Sequence, residues 1–260
     1  MAESAVARRR RQGQALATLK RVFVGALVVV AVGAIAFGAV RLAMDPAFQL
    51  GSVAVVGFDR ESEEAVRSAA ALPIGSNVWF MDTAGAADRV EALPWVRSGH
   101  VDRQWPNLVT ISITERVPAA RVMLPEASGK RYAVVDDGLR VLAVEVDDER
   151  DAALPVLFVQ PLPSGIDAPG SDVSSAQLAQ ALDASKRLAK LGVRITEIES
   201  KPATGIGFTT ASHLRVLFGS TADFERKVEL LGAIVKRIAH PEEVAYVDLR
   251  SAAAPTVLYR

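Results

Sequence analysis

The amino-acid sequence predicts an α+β protein with a single transmembrane helix, a small β-α-α-β-β domain and a larger mixed α/β domain that has a C-terminal edge strand. Three observations predict this class. An uncharged apolar run covers residues 22–40, helical patterns with clear end signals lie between strands in 59–93, and period-2 alternation recurs as far as the C-terminus. Strands and helices that occur in separate groups, without regular βαβ alternation, are typical of α+β folds.

Composition and charge exclude several classes of function. The 260 residues carry 30 basic and 30 acidic side chains, so the net charge is zero, which argues against a dedicated nucleic-acid binder. The chain has no cysteine, which excludes disulfides, thiol catalysis and cysteine-based metal sites. Half of the residues are hydrophobic, so the chain has enough apolar side chains to bury a core in each predicted domain.

The N-terminal region predicts a membrane anchor. Basic residues are concentrated in 1–21, and the run Val22–Val40 has no charge. A helix of this length is about 28 Å long, close to the thickness of the hydrocarbon core. The positive-inside rule then predicts that 1–21 is a cytoplasmic tail, and that the linker 41–47 and everything after it are extracytoplasmic. A cleaved signal peptide is the competing interpretation; its apolar region is usually about 7–15 residues, shorter than this one.

The stretch 48–117 predicts a small domain. Ser62, and either Asp82 or Thr83, are suited to cap helices, and Pro73 and Pro94 follow the predicted helix ends. Pro106 cannot donate to a strand ladder, so it belongs in the turn of a hairpin. In chain order the predicted elements are strand 48–57, helix 59–71, helix 83–93, strand 95–104 and strand 108–116.

The stretch 118–260 predicts the larger domain, without repeats. Asp136-Asp137-Gly138 is a hairpin turn signal, and the acidic stretch 146–151 is interpreted as a solvated loop. No strand is predicted between 118 and 131. The predicted elements are strands 132–135, 139–144 and 154–159, helix 174–191, strands 195–200, 205–210 and 213–218, helix 223–240 and strand 245–250.

No catalytic or cofactor-binding motif is present. The three histidines lie on unrelated predicted elements, without metal-ligand spacing. No P-loop, G-x-S-x-G or H-E-x-x-H pattern occurs. The sequence therefore predicts no enzyme, no metal site and no cofactor, and it favours a binding or scaffold role.

The C-terminal stretch SAAAPTVLYR predicts an edge strand, because proline in a strand is tolerated mainly at an edge. An exposed edge can bind a strand of another chain or can be blocked against such pairing, and Pro255 leaves both interpretations open. The small residues Ser251–Ala254 let a partner backbone come close. Val257, Leu258 and Tyr259 offer apolar anchors.

The ordered set of motifs resembles the FtsQ/DivIB family of bacterial cell-division proteins, whose membrane-proximal domain is of the POTRA type. The resemblance covers nearly the whole chain. In the second half it includes the VVDDGLRVL hairpin, helix 224–236 and strand 247–250. In the first half the matching residues are Val53, Val56, Gly57, Trp95, Val96, Arg103, Trp105, Pro106, Asn107, Leu108, Ile111, Ile113, Glu115, Arg116, Pro118 and Ala119.

The resemblance implies a single-pass divisome scaffold of the inner or plasma membrane at the septum, without enzymatic activity. Its POTRA domain (48–117) would contact other divisome proteins. Its β domain (118–260) would pair with an FtsB/DivIC-type partner that carries an FtsL-type coiled coil. By this resemblance the partner-binding residues are Arg250, Ser251, Ala253, Val257 and Tyr259. Pro255 is a departure that would remove one ladder hydrogen bond from the paired region.

Two other functions are weighed beside the scaffold. One is a POTRA-bearing exported chaperone for β-rich clients, and the other is an extracytoplasmic hydrolase with an unrecognised site. Within the scaffold interpretation, Trp105 is expected to pack on its own domain. Glu115 and Arg116 are expected to fix the joint between the two domains.

Overall fold

The computed structural model describes residues 3–125, 130–146, 149–238, 240 and 243–260, and the side chains among these from residue 23 onward. Helix α1 covers Glu3–Ala43. Its segment Phe23–Ala43, of 21 residues, is strongly apolar and has no buried residue, and it is long enough to cross a membrane. The helix runs three residues beyond the predicted end at Val40. The side chains of the basic tail lie outside the described residues.

The small domain has the predicted order of elements. It consists of β1 (Ser52–Val56), α2 (Glu63–Ala70), α3 (Thr83–Glu91), β2 (Val96–Gln104) and β3 (Leu108–Glu115), with short 3-10 helices at Pro46–Phe48 and Val78–Phe80. The three strands form a sheet in the order β1-β3-β2. Strand β1 runs parallel to β3, and β2 pairs antiparallel with β3. Alternate residues of the sheet and the inner faces of both helices form one apolar core.

Local chemistry explains the ends of these elements. The Ser62 hydroxyl accepts a hydrogen bond from the Ala65 N–H at 3.0 Å, and the Asp82 carboxylate accepts one from the Gly85 N–H at 2.9 Å. Asp82 is therefore the cap of α3. The first strand begins at Ser52, later than predicted, because Phe48 belongs to a 3-10 helix whose first N–H groups are capped by Asp45.

The larger domain is built on one nine-stranded sheet in the order β12-β11-β10-β9-β8-β7-β4-β5-β6. Two helices and one side of the sheet share a single core. The elements are β4 (Pro118–Leu124), β5 (Arg131–Asp136), β6 (Val141–Glu145), β7 (Val156–Val159), α4 (Ala176–Lys190), β8 (Ile195–Lys201), β9 (Gly205–Thr210), β10 (Arg215–Gly219), α5 (Phe224–Val235), β11 (Val244–Asp248) and β12 (Thr256–Tyr259).

Three predictions for this domain were wrong in detail. Strand β4 was missed because it is buried with little alternation and has an arginine at its centre; Arg121 is accommodated by the Tyr132 ring, whose centroid lies 4.8 Å from its Cζ. Helix α5 ends at Val235, short of residue 240, and its expected stop at Pro241 lies outside the described residues. Strand β11 ends at Asp248, two residues before the predicted end.

The two domains are joined by buried ion pairs. Arg116 donates to the Asp136 carboxylate at 2.8 Å and to the Val96 carbonyl oxygen at 3.0 Å. Asp136 is only 1 % exposed, and its carboxylate also accepts hydrogen bonds from the backbone N–H groups of Gly138 and Arg140 in its own turn. The expectation that Arg116 fixes the joint is confirmed.

A second ion pair crosses the same joint. Arg60 donates two hydrogen bonds to Asp151, at 2.7 and 3.1 Å, and its guanidinium carbon lies 4.9 Å from the centre of the Trp95 ring. The interpretation of 146–151 as a solvated loop was therefore wrong for its last residues. Glu149–Asp151 form a 3-10 helix, and Asp151 is buried.

Glu115 acts on the joint through Arg60. Its carboxylate accepts hydrogen bonds from the backbone N–H groups of Asp59, Arg60 and Glu61 at 2.8–3.0 Å. Burial raises the pKa of Glu115, but these N–H groups and the Arg60 charge together bring the pKa below its ordinary value. The ionised carboxylate thus holds the loop from which Arg60 reaches the larger domain.

Candidate partner-binding edge strand

Strand β12 lies at one end of the nine-stranded sheet, as predicted for the C-terminal strand. It pairs antiparallel with β11, with Thr256 opposite Asp248 and Val257 opposite Val247. Its other side has no neighbouring strand among the residues that the structure describes. A row of backbone donors and acceptors on that side is available to another chain.

The backbone groups that face the open side can be assigned from one hydrogen bond. The Arg260 N–H donates to the Glu243 carbonyl oxygen at 2.8 Å, toward the β11 side. Since alternate residues of a strand direct their backbone groups to opposite sides, Leu258 also faces β11. Val257 and Tyr259 direct their N–H and C=O groups to the open side. The irregularity in the pairing falls in β11, between Val244 and Tyr246, and leaves this alternation intact.

Pro255 lies just before the strand and not within it. The pairing of β12 with β11 thus begins after Pro255, and the expectation that this proline removes a ladder hydrogen bond to a partner strand stays a prediction. Because proline is confined to the entrance of β12, it leaves the outward N–H groups of Val257 and Tyr259 intact.

The side chains of β12 divide between the core and solvent. Val257 packs against the core of the larger domain, whereas Leu258 and Tyr259 are 49 % and 56 % exposed. Exposed apolar and tyrosine side chains beside an unpaired backbone edge supply anchors as well as hydrogen bonds for an added strand.

The other three predicted residues lie in the connection between β11 and β12. Arg250 donates to the Asp248 carboxylate at 2.6–3.1 Å, and these side-chain hydrogen bonds lower the pKa of Asp248. Ser251 and Ala253 are exposed, and the Ala254 N–H donates to the Ser251 carbonyl oxygen at 3.4 Å. The structure thus brings Val257 and Tyr259 to the open edge and places Arg250, Ser251 and Ala253 in the adjoining turn.

Sequence reasoning missed two residues that shape this turn. Gly219, at the end of β10, has a φ of +74°, and a Cβ atom there would lie 3.1–3.3 Å from atoms of Arg250. Asp248 fixes the arginine from the other side. The D-x-R spacing of Asp248 and Arg250 is the only signal in the sequence that points to the pair.

Metal chemistry has no candidate site in the part of the chain that the structure describes. There, no group of three or more histidine, aspartate or glutamate side chains could hold a metal ion. The described histidines are His100, His213 and His240, and of these His100 lies 3.2 Å from Asp102 on the exposed surface of β2.

Two family models match the chain. The FtsQ-type POTRA domain matches residues 48–116, and the C-terminal region of cell division protein FtsQ/DivIB matches residues 126–250. Together they cover the small domain and most of the larger one as far as the end of β11, and strand β4 lies between the two matches. Strand β12 lies beyond the second match.

Curated relatives agree with these models. The chain is 29 % identical to cell division protein FtsQ of Mycobacterium tuberculosis over 225 residues, covering 86 % of this chain and 66 % of that protein. It is 26 % identical to cell division protein FtsQ of Myxococcus fulvus over 216 residues, covering 79 % and 72 %. The protein of the same name from Corynebacterium glutamicum is 25 % identical over 192 residues, covering 74 % and 81 %. The chain thus spans about two thirds of the length of its mycobacterial relative.

The matched regions also agree with the observed architecture. An apolar N-terminal helix precedes a β-α-α-β-β sheet of the POTRA type, and the mixed α/β domain with its edge strand follows. With the family models on both sheets and relatives that bear one name, we conclude that this chain belongs to the FtsQ/DivIB family of bacterial cell-division proteins.

Proposed function

We propose that this chain is a non-catalytic scaffold of the division machinery, which adds a strand of a partner protein to β12. The partner is an FtsB/DivIC-like protein, together with its FtsL-like companion. The observation that carries the proposal is the open side of β12, where no described strand pairs with the backbone groups of Val257 and Tyr259, next to exposed apolar side chains.

The turn before β12 supports the same site. Arg250, Ser251 and Ala253 lie at the entrance of the strand, so a partner strand that extends past Thr256 would reach them. The ion pair of Arg250 with Asp248 keeps this turn close to the sheet. Small side chains at Ser251 and Ala253 leave room for the partner backbone.

The membrane topology belongs to the same proposal. Helix α1 would cross the inner or plasma membrane once, with 1–21 in the cytoplasm and both folded domains outside. The POTRA domain (48–117) would contact other divisome proteins, and the β domain (118–260) would hold the partner strand. Basic residues before the span and the apolar segment Phe23–Ala43 support this orientation.

Two substitutions test the edge. Tyr259→Asp places a charge among the exposed anchors, and Val257→Pro removes an N–H that faces the open side without removing a bond to β11. We expect each full-length variant to lose at least about tenfold in affinity for the co-expressed FtsB/DivIC-like partner, as for removal of an interface anchor or a strand hydrogen bond. The measurement is pull-down and titration in detergent.

Tyr259→Phe is the matched control, because it keeps the ring and should keep the affinity. Hydrogen exchange of β11 would check that the Val257→Pro variant retains its sheet. Unchanged partner capture by both test variants, with the sheet intact, would refute the β12 site.

Localisation tests the wider role. A fluorescent protein fused before Met1 and expressed at native level should concentrate at midcell, and the signal should be lost when 22–40 is deleted. An even membrane signal together with binding of denatured exported β-rich proteins would favour the chaperone alternative instead.

A further inference from the structure

The membrane-proximal end of the POTRA domain carries an exposed aromatic cluster. We call it the aromatic base, and its members are Phe48, Trp79, Phe80 and Trp105. The rings of Trp79 and Trp105 lie 4.2 Å apart, centre to centre, and Phe48 contacts both edge-on at 5.8 and 6.0 Å. Trp79 and Trp105 remain 48 % and 50 % exposed, and Phe80 is 71 % exposed. Trp105 thus packs on its own domain as expected, yet half of its surface is open.

Hydrogen bonds attach the aromatic base to the end of α1. The Asn77 side-chain amide donates to the carbonyl oxygen of Ala43, the last residue of the helix, at 2.6 Å. The Leu50 N–H donates to the Ser76 carbonyl oxygen at 2.8 Å. The loop 76–81, which carries Trp79 and Phe80, is thus also bonded to the segment that follows α1. Only Met44 and Asp45 separate α1 from the 3-10 helix that carries Phe48.

Arg103 holds the same loop from the sheet side. Its guanidinium donates to the carbonyl oxygens of Val78 and Met81, at 2.8 and 2.5 Å. These are the residues on either side of Trp79 and Phe80. The two rings are therefore presented by a loop that is bonded at both ends.

Distances allow the aromatic base to reach the layer of the lipid headgroups. A span of 21 residues is about 31 Å long, so its last residue, Ala43, lies at the outer boundary of the hydrocarbon core. The chain from Asn77 to Phe80 reaches at most about 11 Å. The headgroup layer is roughly 5–8 Å thick on each side, which is within reach of the rings of Trp79 and Phe80.

We propose that the aromatic base binds the outer surface of the same bilayer that α1 crosses and inserts its rings into the headgroup layer. Tryptophan is favoured in this layer because its ring is apolar and its N–H can still donate a hydrogen bond. Met44 and Ile74, both exposed, extend the apolar surface on either side. A lipid occupant is favoured over a protein because the surface is continuous with the end of the span. The proposal rests on α1 being inserted in the membrane.

Tryptophan fluorescence of the full-length chain in phosphatidylcholine–phosphatidylglycerol vesicles tests this contact. The chain has three tryptophans, at 79, 95 and 105, and Trp95 lies at the interdomain joint. The Trp95→Phe variant therefore reports on the aromatic base alone. In vesicles whose lipids are brominated near the headgroup end of the acyl chains, we expect its fluorescence to be strongly quenched, because tryptophan rings at the membrane interface lie close to these bromines.

The matched control is the double variant Trp79→Phe, Trp105→Phe, which leaves Trp95 as the reporter and should show little quenching. Flotation of the vesicles checks insertion of α1 separately from the aromatic base. Absence of quenching in Trp95→Phe while the protein floats with the vesicles would overturn the proposal. So would equal quenching of both variants. If acrylamide quenching of Trp79 and Trp105 fell only after addition of a division partner, the aromatic base would be a protein site instead.

Discussion

Glu115 shows how one carboxylate acts at a distance from the surface that it stabilises. It bonds to three N–H groups of its own domain, and through them it positions the Arg60 side chain that crosses to Asp151. Burial, and then the charge of Glu115, raise the pKa of the neighbouring Glu61. Glu115 was expected at the joint from its position at the end of the last strand of the small domain, but no pattern in the sequence pointed to Arg60 or Asp151.

Replacing Glu115 by glutamine should lower the free energy of unfolding at pH 7 by about 1–3 kcal/mol, the usual effect of losing hydrogen bonds to a charged acceptor. Because the folded-state pKa of Glu115 lies below its ordinary value of 4.5, its contribution is complete above that pH. The contribution is lost as the pH falls through the folded-state value. Thermal unfolding of both proteins between pH 3 and pH 7 measures the difference, which should shrink on the acid side. If the difference in stability between the two proteins did not change with pH, the stabilising role of the ionised Glu115 carboxylate would be contradicted.

The secondary-structure elements show where pattern reasoning succeeds. Strand β3 followed from alternation, and α2 and α3 followed from capping residues at Ser62 and Asp82. Strand β4 was missed because it is buried between two neighbours, where strands lose the alternation that identifies them. The end of α5 was predicted too late because a proline marks only the last position that a helix can reach. A helix can end several residues before it, as α5 does at Val235.

Two glycines, Gly205 at the start of β9 and Gly219 at the end of β10, lie in close contact, and this contact predicts the effect of a substitution. Gly205 has a φ of +70°, and a Cβ atom there would lie 2.5 Å from the Gly219 carbonyl oxygen. Gly205→Ala should therefore destabilise the β domain by about 1–3 kcal/mol or more, from backbone strain and crowding. It should also weaken partner binding, since Gly219 lies under the turn that leads to β12. Chemical denaturation measures the first effect, and titration with the partner measures the second.

Gly232, within α5, is the matched control. A Cβ atom there meets nothing within 4 Å, so Gly232→Ala should stabilise the protein by about 0.5–1 kcal/mol through helix propensity. If the two alanine substitutions changed the free energy of unfolding equally, the close contact between Gly205 and Gly219 would be contradicted.

At the scale of the whole molecule, the sequence predicted two domains, their order and the edge position of the last strand. These features could be predicted because they depend on hydrophobic alternation and on the positions of prolines, which are read from short stretches of sequence. The joint could not be predicted, since Arg60 and Asp151 are 91 residues apart and no local pattern connects them. For the same reason the turn between β11 and β12 that supports the candidate site could not be predicted: Gly219 and Arg250 meet only in the folded sheet.

The joint gives the prediction at this scale. Substituting alanine for both Arg60 and Arg116 leaves Asp151 and Asp136 buried without these partners, and breaking a buried pair in this way costs about 3–5 kcal/mol. The two domains should then lose their fixed orientation. The chain has no cysteine, so spin labels at Ser98→Cys and Lys186→Cys report one distance between the domains. Its distribution should be narrow in the parent protein and broad in the double variant.

Arg215→Ala is the control for this measurement, because Arg215 pairs with Glu199 within the β domain. It should leave the label distance unchanged. A narrow distribution that survives loss of both Arg60 and Arg116 would show that these two ion pairs are not needed to hold the domains together.

The short passage from α1 to the POTRA domain has a mechanical consequence. A linker was expected at 41–47, but helix α1 continues to Ala43, and the Asp45 carboxylate accepts the Ala47 N–H as the next 3-10 helix begins. No run of flexible residues is left to absorb a rotation of the helix. If α1 crosses the membrane as proposed, a change in its tilt would therefore move β12 along an arc relative to the bilayer surface. In that proposal, the height at which β12 binds a partner strand is set by the bilayer and not by diffusion of a tethered domain.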